Sequence, residues 1–242
     1  GKWRNEAECG SGLLLQKCCH DTDLMCWLNN ATEPYLVSSF GERAHFTEKN
    51  APEGSAARCI NCQVETTCPY SAVHLYKERK EWIRNFDVPE GKTIDNVIEE
   101  ELQNGKFGRC VYHCDNDVTD HQVVNMELEN ETTISFVVNA FTMDDLRATH
   151  IKMTHGEIDG DEKTLRVRKF RGNEQTIYDF SDLCSQPFHA GADLNIVEEF
   201  INSITRSSDG VLSSTIESSI ESHVVCYEAE TSRLTNQTIL ID

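Results

Sequence analysis

Hydrophobic and polar positions between residues 12 and 27 recur at helical spacing. Leu13, Gln16, Lys17, His20, Leu24 and Trp27 fall on one stripe at 3.6 residues per turn, apolar at its ends and polar in its middle. Such a stripe predicts a helix bordering a cleft. His20 stands at its centre, and imidazole is the side chain best suited to moving a proton near neutral pH. The competing reading is a core histidine satisfied by a backbone carbonyl. Downstream, Pro34 to Phe46 reads as a strand and Thr47 to Thr67 as a long loop. Pro69 then opens a helical stripe of Ala72, Leu75, Tyr76, Trp82 and Ile83 that ends near Phe86. Thr93 to Asn104 predicts a short acidic helix closed by Gly105.

From Gly108 the period changes to two. Val124, Met126 and Leu128 alternate with Val123, Asn125 and Glu127, the chain turns near Asn130, and Ile134, Phe136, Val138 and Ala140 alternate again. Arg147 to Met153, Gly156 to Asp159, Thr164 to Phe170 and Gln175 to Phe180 continue the pattern, with Asp159-Gly160-Asp161 as a turn. Leu194, Val197, Phe200, Ile201 and Ile204 mark a helix, and a second runs from Ser214 to Leu234 behind the capping box Ser214-Thr-Ile-Glu217. There is no internal repeat, low-complexity tract or Pro-, Gly- or Ser-rich linker. The expectation is a single domain over 1–242 of the α+β class: an open, mostly antiparallel sheet with helices packed on one face.

Composition narrows the partners. With 22 basic against 41 acidic residues the net charge is −19, which repels phosphate backbones and anionic lipid and so excludes nucleic acid and membrane as expected partners. No apolar run reaches the roughly 18 residues that span a bilayer. Gly1-Lys-Trp-Arg-Asn-Glu6 lacks the apolar core of a signal peptide, so the expected compartment is the cytoplasm. On that footing the Asn-x-Thr matches at Asn30, Asn130 and Asn236 are chance. Eleven cysteines, an odd number without a dense framework, are expected as thiols unless a metal holds some of them.

Four segments carry candidate chemistry. Gly10-Ser-Gly12-Leu-Leu-Leu15 approaches a dinucleotide-binding turn, but it lacks the third glycine and follows a polar run where a buried strand belongs. Cys59-x2-Cys62-x5-Cys68 offers three thiolates to a zinc ion, with Cys18, Cys19, His113 and Cys114 as candidate fourth ligands, and reduced structural thiols as the alternative. A metal there would fix the long loop. His113-Cys-Asp115-Asn-Asp117 gathers polar groups at a strand end, where an ordinary Asx-rich turn would look the same. In Phe188-His189-Ala-Gly-Ala-Asp193, Asp193 makes a good helix N-cap and His189 beside it is placed to face a ligand.

In this order the segments resemble the C-terminal domain of the Gfo/Idh/MocA (glucose-fructose oxidoreductase and inositol dehydrogenase) superfamily. The matching pieces are Gly1-Lys-Trp-Arg-Asn-Glu6, Lys17-Cys-Cys-His20-Asp-Thr-Asp23-Leu with Trp27, and Asn50-Ala-Pro-Glu-Gly54 running through the cysteine loop into Cys68-Pro-Tyr-Ser-Ala72. Further on come Cys114 to Val124, His155-Gly-Glu-Ile-Asp-Gly160-Asp, and the tail from Glu217 to Leu240 with Glu221-Ser-His223 and Arg233-Leu-Thr235. The resemblance implies a two-domain enzyme. An N-terminal Rossmann domain binds NAD or NADP and supplies a lysine from a Glu-Lys-Pro motif, while the C-terminal domain forms the substrate side of the cleft and pairs sheets with a second subunit.

Here Glu48-Lys49 is followed by Asn50, so that motif is not replaced, and no nicotinamide is expected on these residues by themselves. The resemblance makes His20 and Lys17 the catalytic candidates and Gln16, His113, Asp115, His189 and Asp193 the substrate-binding ones. Gln16 stands where many members carry Asp, and a neutral amide orients a hydroxyl without accepting its proton. Ala190 and Ala192 replace glycines of the family's turn beside the substrate. The function implied is the substrate-binding and oligomerisation domain of an NAD(P)-dependent oxidoreductase acting on a sugar or polyol, a homo-oligomer through its sheet face, unable to transfer hydride unaided. The alternatives are a non-enzymatic dimerisation module with a vestigial cleft, and a zinc-stabilised cysteine-loop protein.

Overall fold

A computed structural model of the chain describes residues 5–9, 11–29, 32–143, 146–172, 174–185, 187–205 and 215–241. The chain divides into two compact units, Gly1–Phe141 with Ile216–Asp242, and Thr142–Thr215. No Pro-, Gly- or Ser-rich stretch announces the division.

The first unit opens with a helical turn, α1 (Glu6–Cys9), and the helix α2 (Leu13–Leu28). Its sheet has the strand order β3-β2-β1-β8, formed by β1 (Pro34–Glu42), β2 (His121–Leu128), β3 (Thr133–Asn139) and the short β8 (Ile239–Leu240), with every neighbouring pair antiparallel. The β2–β3 hairpin runs from Glu127 opposite Thr133 to His121 opposite Asn139. Gln122, Val124, Met126 and Leu128 are buried while the residues between them are half-buried, the alternation expected of a strand with one covered face.

That face is covered by α2 and by α7 (Ile216–Thr235). Leu14, Cys18 and Cys19 of α2 meet Val225, Cys226 and Ala229 of α7 over Val37, Val124 and Met126 of the sheet. The buried stripe of α7 consists mostly of small residues, Ser222, Cys226, Ala229 and Ser232, which lets its backbone lie close to the strands. Ser232 receives a hydrogen bond from the Ser39 amide of β1 at 2.9 Å, so the polar positions in the stripe are used rather than stranded. The predicted capping residue Ser214 lies outside the described residues.

A second buried cluster forms around α3 (Ile94–Gln103), where Val97, Ile98 and Leu102 pack on Cys59, Ala72 and Phe86. Thr93 and Asn96 close a reciprocal cap at its start. The single helix predicted from Pro69 to Phe86 is instead a π-helical turn, Val73–Glu78, and a 3-10 turn, Ile83–Asn85. Between them Lys80 and Trp82 take left-handed φ values of 55° and 57°. The run Lys77-Glu-Arg-Lys-Glu81 has no apolar position to hold a helix against the core, and Trp82 sits half in solvent. β1 likewise stops at Glu42 rather than Phe46, because the next amides turn toward Asp120 instead of a neighbouring strand.

The second unit is an antiparallel meander, β4 (Thr149–Met153), β5 (Gly156–Gly160), β6 (Thr164–Lys169) and β7 (Gln175–Asp179), paired in chain order. Strand alternation puts His150, Lys152, Glu157, Asp159, Arg166 and Arg168 on one face, where Arg168 bridges Glu157 at 2.8 Å and Asp159. Ile151, Met153, Ile158, Leu165 and Val167 share the other. The helical turns α4 (Ser181–Cys184) and α5 (Pro187–Ala190) and the helix α6 (Ala192–Thr205) follow. The architecture is thus α+β with antiparallel strands as expected, the strands being shared between two four-stranded sheets. Among the described residues no helix is long and apolar enough to cross a membrane.

Candidate functional site

The buried stripe of α2 is Leu14, Cys18, Cys19 and Thr22, and the predicted stripe lies on the other side of the helix. Gln16, Lys17, His20, Leu24 and Trp27 are all exposed. The core reading of His20 therefore fails: its ring is in solvent, and among the described residues nothing is hydrogen-bonded or ion-paired to it or to the Lys17 ammonium. Three polar groups with different chemistry thus share one rigid helix face: a neutral amide, a cation and an imidazole. Packing holds the helix from behind, through Thr22 Oγ1 at 3.3 Å from Cys226 Sγ and the apolar cluster below. Burial pushes the thiols on that inner side up, Cys18 to about 12 and Cys226 to about 11, so they are inert packing groups.

The loop from His113 to Val118 lies against the start of this region. The Asn5 side chain donates to the Asp115 carbonyl at 3.0 Å, the Glu6 amide to Asp117 Oδ1 at 2.7 Å, and Arg43 to the Asn116 carbonyl. Both predicted substrate-binding residues here are already engaged. His113 Nε2 is 2.9 Å from Ser55 Oγ, with Glu48 3.9 Å from its other ring nitrogen. Asp115 is ion-paired to Arg109 at 2.7 Å. They shape the loop rather than present free groups.

One organising residue escaped the sequence reading. Asp120, 2% exposed, accepts hydrogen bonds from the amides of Ala44, His45 and Phe46 at 3.1, 2.7 and 3.0 Å and contacts His121 Nδ1 at 2.9 Å. Burial by itself raises this carboxyl, but the bonds from His121 and the three amides outweigh it and hold it below the usual carboxylate range. The turn so fixed places His45 and Phe46 among Tyr70, Tyr112 and Phe141, with ring centroids 5.0–6.1 Å apart. Tyr112 OH stands 3.2 Å from His45 Nε2. Beside the cluster is a cavity of about 150 Å³ walled by Phe46, Tyr70, Tyr76 and Phe107, with Lys106 and Arg109 at its edge. Those two cations are paired, Lys106 with Glu8 at 2.8 Å and Arg109 with Asp115.

The cysteine loop folds as successive single turns, and Cys59, Cys62 and Cys68 converge on one small void. The fourth thiol there is Cys110, and none of the four residues proposed from sequence. Cys18 and Cys19 belong to the other buried cluster, His113 is bonded to Ser55, and Cys114 Sγ points to the Val111 carbonyl at 3.6 Å. Cys110 arrives because Arg109 bridges Arg58 and the Cys110 amide donates to the Ala57 carbonyl at 2.9 Å, a pairing with no local sequence signature. Among the described residues no group of three His, Cys, Asp or Glu side chains stands arranged to hold a metal ion, so the zinc expected on Cys59, Cys62 and Cys68 finds no ready-made site.

The remaining candidates, His189 and Asp193, belong to the second unit. His189 Nδ1 is 2.9 Å from Asp193 Oδ2 one helical turn on, and both are exposed. His189, Ala190 and Gly191 take left-handed φ values of 52°, 58° and 84°, the conformation that glycine accepts most readily. The Gly10-Ser-Gly12 segment follows the helical turn α1 rather than a strand, so it is not a dinucleotide loop.

No protein-family model matches the sequence, and no curated protein does. Solved structures match it in fold. An oxidoreductase domain protein from Kribbella flavida superimposes with a TM-score of 0.60 at 14% identity, over 100% of this chain and 54% of that one. Levoglucosan dehydrogenase, solved in complex with NADH and levoglucosan, gives 0.59 at 11% identity over 100% and 53%. A super-repressor mutant of Gal80p from Saccharomyces cerevisiae gives 0.53 at 9% identity over 96% and 51%. The chain thus shares its fold with solved oxidoreductases, which is the kind of fold that the sequence motifs imply. This chain spans about half the length of each.

Proposed function

We propose that these residues are the substrate-side and oligomerisation half of an NAD(P)-dependent oxidoreductase that acts on a hydroxyl of a sugar or polyol. The observation that carries the reading is the exposed Gln16, Lys17 and His20 face of α2, in a fold shared over 99–100% of the chain with an NADPH-dependent oxidoreductase and an NADH-bound dehydrogenase. One of these was solved with a sugar-derived ligand and NADH together.

In this reading His20 takes the proton of the substrate hydroxyl as the carbonyl forms. Lys17 holds the substrate oxygen by charge, and the Gln16 amide orients the hydroxyl. Hydride acceptance is the chemistry that NAD or NADP supplies when bound, and the residues holding it belong to a Rossmann domain outside this sequence. His113 and Asp115 shape the rim of the site through the loop they brace. The apolar face of the second sheet serves pairing with another copy, and the cytoplasm is the compartment we assign.

Production of NADH or NADPH by the full-length gene product on a panel of aldoses, anhydrosugars and polyols tests this directly. Turnover of any of them supports the reading, and nicotinamide binding without turnover of the whole panel counts against it. A second reading has its own support. Gal80p, described as a repressor, shares the fold, and six apolar side chains of α6 are exposed. This reading makes the chain an assembly module with a vestigial cleft. Sedimentation and calorimetry separate the two, because a module pairs without any heat on adding sugar, polyol or nicotinamide.

A further inference from the structure

Cys59, Cys62, Cys68 and Cys110 line one void of about 10 Å³ in the first unit. Cys59 and Cys110 are buried and the other two partly so. They are near enough to interact electrostatically, Cys59 with Cys110, Cys68 and Cys62, and Cys110 with Cys62 and Cys68. Backbone donors are aimed at the two inner sulfurs. The Ala72 amide lies 3.5 Å from Cys59 Sγ, and the amides of Tyr112 and His113 face Cys110. Amides so placed are the usual outer partners of a metal-bound cysteine, while burial holds both free thiols above their ordinary value. Cys62 and Cys68 occupy equivalent places, each directly after a single 3-10 turn with extended backbone. Between β1 and α3 the described chain contains only single 3-10 turns and the π-helical turn Val73–Glu78, and an irregular segment of that length inside a compact unit is ordinarily fixed by something.

We propose that these four cysteines form a structural zinc site, with Cys110 as the fourth ligand. A void of one water's size admits a single ion and not an iron–sulfur cluster. Four thiolates at about 2.3 Å are a common closed set for zinc. Among the described residues the sulfurs do not stand in a ready-made ligating array, so zinc binding requires Cys62 and Cys68, the half-buried pair, to close onto Cys59 and Cys110. Four thiols give their protons to solvent, four Zn–S bonds form, and nothing is oxidised or reduced.

The test is metal analysis of the 242-residue chain purified under reducing conditions without added metal, together with thermal melting and cobalt substitution. About one zinc per chain, a melting temperature lowered by a chelator, and the thiolate charge-transfer and tetrahedral d–d bands of a cobalt(II) derivative support the site. Cys62→Ser and Cys110→Ser each bring the content below about 0.2 zinc per chain, while Cys114→Ser, outside the void, keeps it near one. Should Cys110→Ser fail to fold, Cys62→Ser on the partly exposed side gives the same readout in a folded chain. Less than about 0.2 zinc in the wild type with no response to chelator overturns the proposal. So does iron with acid-labile sulfide, a disulfide among the four, or equal zinc loss from Cys114→Ser.

Discussion

The two units treat apolar surface in opposite ways. In the first, two helices lie on one face of a sheet and a second cluster closes around α3, so that Val37, Ile98, Leu102 and Ala229 are almost wholly out of water. In the second, no described side chain is fully buried. Leu194, Ile196, Val197, Phe200, Ile201 and Ile204 of α6 are between 49% and 65% exposed, and Ile177 and Tyr178 of β7 are 54% and 47% exposed. Exposed apolar side chains in such number are what an association surface would use. In our proposal the first unit holds the substrate-side residues and the second pairs with another copy.

The sharpest way to break that contrast is the same kind of truncation in both units. Ile98→Ala, at a position 1% exposed, is expected to cost about 3–5 kcal/mol by denaturant titration, and Ile196→Ala, 65% exposed, less than about 0.5 kcal/mol in the monomer. Equal costs would erase the distinction. Asp120→Asn comes next, at about 2 kcal/mol, since it weakens one acceptor shared by three amides. Because the folded carboxyl lies below its usual 3.8, its contribution is complete above that pH and disappears as the pH falls through the lower folded value. The wild type should therefore lose stability faster than the variant in acid below about pH 4.

On the second unit, Met153→Glu, on the apolar face of the second sheet and 47% exposed, is expected to convert the proposed pair of copies to monomer in sedimentation while changing the monomer's stability by less than about 0.5 kcal/mol. Unchanged pairing would remove that face from the interface. The smallest effect belongs to the charged face. Lys152→Ala loses the exposed pair with Glu157 and is expected to cost about 0.2–0.5 kcal/mol, vanishing in high salt.

Period-two segments were the most legible part of the chain. Val124, Met126 and Leu128 are buried in β2, joined by Gln122, and the four strands of the second unit fall within a few residues of their predicted bounds. Helical stripes were harder. On α2 the stripe rich in Leu and Trp faces solvent, because the inner side uses Cys18, Cys19 and Thr22, small residues that α7 meets with Cys226 and Ala229. Matched small residues pack closely without adding much to the hydropathy pattern. His20 is exposed on that face, but it lines neither of the two cavities described above. Cys110 and Asp120 were illegible for a different reason: each acts through a pairing between segments far apart in sequence, Arg58 with Arg109 and the turn at 44–46 with the start of β2. No periodicity records such contacts.

The central claim is that the outward face of α2 presents His20 to a substrate hydroxyl. Its most direct test is the steady-state rate of the full-length gene product with and without His20→Ala, on any sugar or polyol that it turns over. The account predicts a fall in kcat/KM of about 10²- to 10⁴-fold, with thermal stability changed by less than about 0.5 kcal/mol because the ring is exposed. An unchanged rate in a folded variant would contradict it.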